Sequence, residues 1–392
     1  MTVVTDQKRR AAIQDVDRPP GTATSYVVSL FRGEKLVIPC SNSVMRLLVT
    51  GRETGMTFAV VSTGGSAGAP IGFHYHREAH DVFLCLKGNV NVWANDTART
   101  MGPGDFASVP PGTIHQYQIL GDHTEFIGLI VPGGWEEFFR IIGDPYSGAA
   151  LFPVDDEPRD PRLVLVPRLV EAAERCDMVP VRDHPAAGIA AWGGGRTGGG
   201  EDVDSRLPDG VEPYFLRADA GPKWLLGGTV ARPLITTVQA SGGRFSVVGV
   251  EGGDGHGRGR VGVFAGGRLR WKGVHHCFLV VRGRVRFGVG SRSTSGRGGA
   301  GSGIKDGGAE DGVSLAADDT VFIPAGEAFE FAFESAFAQM YVFANGGGVA
   351  ELVMELGRRW EAPGSIPERP MDEWRMERLM ALGSERGFVV EA

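Results

Sequence analysis

The sequence predicts an all-β fold made of two tandem antiparallel β-barrel domains, with short connecting and C-terminal helices. Three observations carry that prediction. Short runs rich in Val, Ile and Phe end in turn residues: 58–65 (FAVVSTGG), 82–88 (VFLCLKG), 89–96 (NVNVWAND) and 124–134 (TEFIGLIVPGG). Turn signals recurring every ~8–12 residues belong to sandwiches or barrels. An internal repeat runs in constant order through both halves: residues 46–61 align without gaps on 233–248, 80–93 on 275–288 and 104–115 on 318–329, at offsets of 187, 195 and 214. Two copies of one β domain explain such an order. Helical periodicity is confined to 135–143, 168–176 and 371–383, outside the repeated blocks.

These signals divide the 392 residues into an arm (1–24), a first domain (25–150), a helical, Gly-rich connection (151–212), a second domain (213–360) and a C-terminal helical segment (361–392). Glycine supplies 60 residues, roughly twice its usual share. Much of it lies in 192–204, read as linker, and in 291–312, an insertion in the second copy too poor in apolar residues to order itself. The formal charge is −7 and basic residues form no patch, which argues against a nucleic-acid or anionic-membrane partner. No run approaches the ~18 apolar residues of a membrane span, and the first twenty residues lack the apolar stretch of a secretory signal, so a cytoplasmic protein is expected. Cys40, Cys85, Cys176 and Cys277 lack C-x-x-C spacing and read as reduced thiols.

Four of the nine histidines, His74, His76, His80 and His115, fall in one stretch of the first copy. On a strand His74 and His76 share a face, because side chains alternate with period two. Asp81 can approach from the next strand, and His115, placed at the end of a strand after a Pro-Pro-Gly turn, closes the set. Three imidazoles and one carboxylate suit a divalent first-row transition ion. His80 alternates away from Asp81 and reads as a core or supporting residue.

Gly68, His74, His76, Asp81 and Gly88, followed by Gly104, Pro110, Gly112 and His115, resemble the two cupin motifs in spacing and order. The two-copy layout, with HYHREAHDVFLC and GPGDFASVPPGTIH, resembles fungal quercetin 2,3-dioxygenase-like bicupins over nearly the full length. That resemblance implies a bicupin holding one divalent transition metal (Fe, Cu, Mn, Ni or Co) through His74, His76, His115 and Asp81, with Asp81 as the catalytic base. It implies a dioxygenase of secondary metabolism that takes dioxygen and a flavonol-like or other aromatic or polyketide enol, with a homodimer allowed. Two positions depart from the pattern: Asp81 stands where the family has Glu, and Ile119 where an Asn is usual. Asp81 is therefore either a ligand or a proton acceptor standing back from the ion, with Glu78 as the alternative carboxylate. Tyr75, Tyr117 and Phe126 are candidates for the substrate pocket, and Phe83 and Trp93 for core. In the second copy Leu269, Trp271, His276 and Phe329 occupy the ligand positions, so that copy is expected to be metal-free and to brace the first. Two other readings compete: a non-oxidative metal-dependent cupin enzyme (decarboxylase, cyclase or isomerase) and a non-enzymatic small-molecule-binding cupin.

Overall fold

The computed structural model describes residues 13–29, 31–148, 159–193, 203–254, 267–290, 312–361 and 376–391. Nearly all of the 291–312 insertion, and the glycine-rich centre of the linker, lie outside the described residues. No described helix is long and apolar enough to cross a membrane.

Two long strands organise the first copy, His80–Ala94 and His115–Val131. They pair antiparallel from His80↔Val131 to Ala94↔His115, with a bulge between Leu120 and Phe126. The turn signal at Gly88 predicts two strands here, whereas one strand continues through it. Gly88 has φ +66°, and a Cβ there would collide with the His123 carbonyl oxygen, so glycine lets the chain turn the corner without ending the strand. In the second copy the equivalent strands are interrupted, as His276–Arg282 with Val285–Val289 and Ala328–Phe333 with Ala338–Ala344. That copy therefore splits into two sheets.

The sheets do not close on themselves, so the expected barrels are open jelly-roll sandwiches. Their edges are covered instead by strands exchanged between the copies. Tyr26–Val28 pairs antiparallel with Thr320–Ile323 of the second copy, and Tyr214–Leu216 with Phe106–Val109 of the first. Covering an edge in this way removes a template for aggregation. Each exchanged strand is tied back to its own copy: the buried hydroxyl of Tyr26 donates to the Leu48 carbonyl (2.9 Å) and that of Tyr214 to the Leu234 carbonyl (2.6 Å). Boundaries drawn at 25 and 213 thus separate each strand from the sheet it bonds to. One apolar cluster joins the copies, packing Leu48, Val60, Leu84 and Leu129 against Leu234, Leu279, Phe322 and Phe343.

The internal repeat holds at the level of strand register. Asp81↔Val109 recurs as His276↔Ile323, and His74↔His115 as Leu269↔Phe329. It also extends beyond the repeated sequence blocks. The helix Val166–Arg175 leads to Val179–Pro180, which pairs with His74–Tyr75; the helix Met376–Arg386 leads to Phe388–Glu391, which pairs with Arg268–Trp271. The connection and the C-terminal segment are thus matching ends of the two copies. Strands this short show no alternation, which is why periodicity missed them.

Candidate metal centre

His74 lies on the two-residue strand His74–Tyr75 and pairs directly with His115. His115 opens its strand rather than ending one, because the turn at 110–113 precedes the long run to Val131. The ligand atoms of His74, His76 and His115 lie within 4.8 Å of one another, a set that does not include the Asp81 carboxylate. Asp81 Oδ2 sits to one side, 3.2 Å from His76 Nε2 and 3.4 Å from His115 Nε2. All four residues are buried, at 7%, 2%, 1% and 8% exposure for His74, His76, His115 and Asp81.

Orientation comes from the backbone. Nδ1 of His74 donates to the Gly72 carbonyl (3.0 Å), Nδ1 of His115 to the Thr113 carbonyl (2.9 Å), and Nδ1 of His76 to the Asp177 carbonyl. Committing each Nδ1–H outward leaves the Nε2 lone pairs facing in, the arrangement by which outer groups fix ligating histidines. Nε2 of His76, Nε2 of His115 and Oδ1 of Asp81 are buried with no hydrogen-bond partner among the described residues. Orphaned polar atoms of this kind are costly unless something satisfies them. Donor atoms ~2.0–2.2 Å from a common ion stand roughly 3.0–3.5 Å apart, which matches the spacing of Asp81 Oδ2 from the two imidazoles. The residues present therefore fit one divalent transition ion.

Protonation agrees with that fit at His74 and Asp81. Burial, reinforced by the neighbouring His115 and His76, pushes His74 down to about 3, so its imidazole is neutral at physiological pH. Burial also opposes charge on Asp81, but His76 and His115 outweigh it and hold the carboxyl below its usual range. His76 is raised on balance, because Asp81 outweighs the effect of burial.

Residues 60–131 match the cupin domain family. That segment of the first copy is a cupin domain. The chain is 32% identical over 168 residues to a quercetin 2,3-dioxygenase of Bacillus subtilis (strain 168), a match covering 43% of this chain and spanning about half (48%) of that relative. It is 23% identical over 370 residues to a quercetin 2,3-dioxygenase of Aspergillus japonicus, covering 88% and 96% of the two chains. Among solved structures, the oxalate decarboxylase of Lactobacillus farciminis in its formate complex aligns with TM-score 0.47 and 16% identity, over 84% of this chain and 88% of that one.

The remaining candidates fall on different sides of the centre. Tyr117 and Phe126 pack together (ring centroids 5.0 Å) and against Phe83, whose ring is 6.3 Å from His115; Phe83, read as core, thus lies within reach of the site. Tyr75 alternates with His74 and turns to the opposite side of its strand. Trp93 is core, its indole N–H donating to the Ala187 carbonyl. Glu78 is exposed, because the His74–Tyr75 strand has already ended and its alternation does not reach residue 78. His80 is buried between the copies, hydrogen-bonded to Ser108 (2.8 Å) and to Ser241 of the second copy (3.0 Å), and burial pushes it down to about 4.

Two residues near the ligands had no signal in the sequence. Trp135 sets its ring edge-on to His76 at 4.8 Å and donates its indole N–H to the Asp177 carbonyl. Asp177 itself lies a hundred residues from the loop it contacts. In the second copy the equivalent place is filled by rings: Trp271 stacks on Phe329 (5.5 Å), and His276 lies 4.7 Å from Trp271 and 5.2 Å from Phe329. Burial pushes His276 down to about 3.

Proposed function

We propose that the chain is a metal-dependent dioxygenase acting on a flavonol-like or other aromatic or polyketide enol, with His74, His76, His115 and Asp81 holding one divalent ion. The observation that carries this reading is the convergence of three inward-facing imidazoles and one carboxylate in a buried site beside the rings of Phe83, Tyr117 and Phe126. Likeness to two quercetin 2,3-dioxygenases supports the substrate class. A bound divalent ion would supply Lewis acidity and a template for enolate and dioxygen.

The chain's own residues do the rest. Asp81 turns Oδ2 toward the imidazoles and leaves Oδ1 without a partner among the described residues, so Oδ1 is the acceptor for the enol proton. His74, His76 and His115 stay fixed by the carbonyls of Gly72, Asp177 and Thr113 and need no reorganisation. Phe83, Tyr117 and Phe126 offer edges and faces to a flat ring and keep water from the deprotonated substrate.

The test is oxygen uptake by metal-loaded protein against a panel of flavonols and aromatic polyketide enols. Uptake in step with substrate loss, abolished by a chelator, is expected. Metal-dependent substrate loss with no oxygen consumed would replace this reading with the non-oxidative one.

A further inference from the structure

Asp177 does two things at once beside the ligands. Its carbonyl accepts from Nδ1 of His76 and from the indole N–H of Trp135 (3.2 Å). Its carboxylate accepts three consecutive backbone N–H groups, from Arg77 (2.9 Å, to Oδ1), Glu78 (2.7 Å) and Ala79 (3.1 Å, both to Oδ2). Those amides belong to the short loop whose flanks carry two of the site's residues, His76 and Asp81. Successive N–H groups closing on one anion form a compact, charge-assisted cradle that fixes the local backbone.

The second copy supplies an internal control. Val179↔Tyr75 in the first copy corresponds to Val389↔Arg270 in the second. Two residues before Val179 stands Asp177, and two before Val389 stands Gly387. Gly387 offers only its carbonyl, which accepts the Lys272 N–H at 3.1 Å. The second copy thus builds the same helix, the same short strand and the same pairing without a carboxylate. The fold alone does not require Asp177. What sets the copies apart is that one carries His74, His76, Asp81 and His115 and the other Leu269, Trp271, His276 and Phe329.

We infer that Asp177 is a positioning residue of the metal centre: through its carboxylate it holds the His76–Asp81 loop, and with it the carbonyl that orients His76, in ligating geometry. The inference rests on the metal-centre reading above and goes beyond it, since Asp177 touches neither ion nor substrate. It assigns the end of the first copy a role in metal retention.

Asp177→Ala and Asp177→Asn test it, with metal affinity measured by chelator competition and the ligand field read from the visible spectrum of the cobalt-loaded protein. Asp177→Ala should bind metal about 10–100-fold more weakly, the usual effect of losing a group that orients a ligand, and should shift the cobalt bands. Amide exchange at Arg77, Glu78 and Ala79 should quicken in the metal-free form. The unfolding midpoint of the metal-free variant should stay within about 4 °C of wild type, because the Asp177 side chain is one-quarter exposed and fills no core position. Asp177→Asn, which keeps the size and one acceptor, should fall between, and it carries the test should the alanine variant not fold. Wild-type affinity and spectrum in both variants would overturn the inference while leaving the metal-centre reading intact. Weakened binding that tracks loss of the metal-free fold would reduce Asp177 to a structural role. Wild-type protein that takes up no ion would overturn both.

Discussion

Asp81→Asn is expected to lower turnover by ~10²–10⁴-fold, the usual contribution of a positioned proton acceptor, and to weaken metal binding measurably in the same samples. The substitution preserves shape and removes charge. It takes away the carboxylate lying 3.2 Å and 3.4 Å from two Nε2 atoms, together with the unpartnered Oδ1 assigned to the enol proton. Because both functions reside in one side chain, metal content and kcat must be measured together. Full metal occupancy with a large loss of kcat would confine Asp81 to proton transfer. Full occupancy with unchanged turnover would remove it from both roles, and Glu78 offers no substitute: it is exposed, and its backbone is fixed by Asp177 on one side and by Arg244 of the second copy on the other.

His115→Phe is expected to abolish metal binding and activity while leaving the chain folded. The second copy indicates why the fold survives, since Phe329 holds the same register place opposite Leu269 and packs there among Trp271 and His276. The substitution removes a buried imidazole nitrogen that has no hydrogen-bond partner among the described residues, a group whose burial costs ~1–3 kcal/mol. It leaves the Thr113 carbonyl without its donor, an offsetting loss of similar size. The metal-free variant should therefore unfold within a few degrees of metal-free wild type, and only wild type should gain stability from added metal. Thermal scans with and without the ion check both halves of the expectation. A variant stabilised by metal as strongly as wild type would show that His115 is not a ligand.

The three-histidine cluster was legible because motif spacing is a local property: His74 and His76 two apart, His115 after Pro-Pro-Gly. The duplication was equally legible, and its offsets recur in the strand registers of both copies. What escaped the sequence depends on contacts between distant segments. Tyr26–Val28 is three residues long, and nothing in it indicates that its partner strand begins at Thr320. Trp135 and Asp177 reach the site through packing that brings the end of the first copy back over its ligand loop. Tyr75 shows a different failure: proximity in sequence suggested the pocket, whereas the alternation that places His74 inward sends Tyr75 the other way.

One divalent ion in the first copy and none in the second is what the two sets of side chains predict. Elemental analysis of wild-type protein expressed in metal-replete medium tests it most directly. One divalent transition ion per chain is the predicted result. Two ions per chain, which would mean that the aromatic-filled site around Trp271, His276 and Phe329 also binds, or none at all, would contradict it.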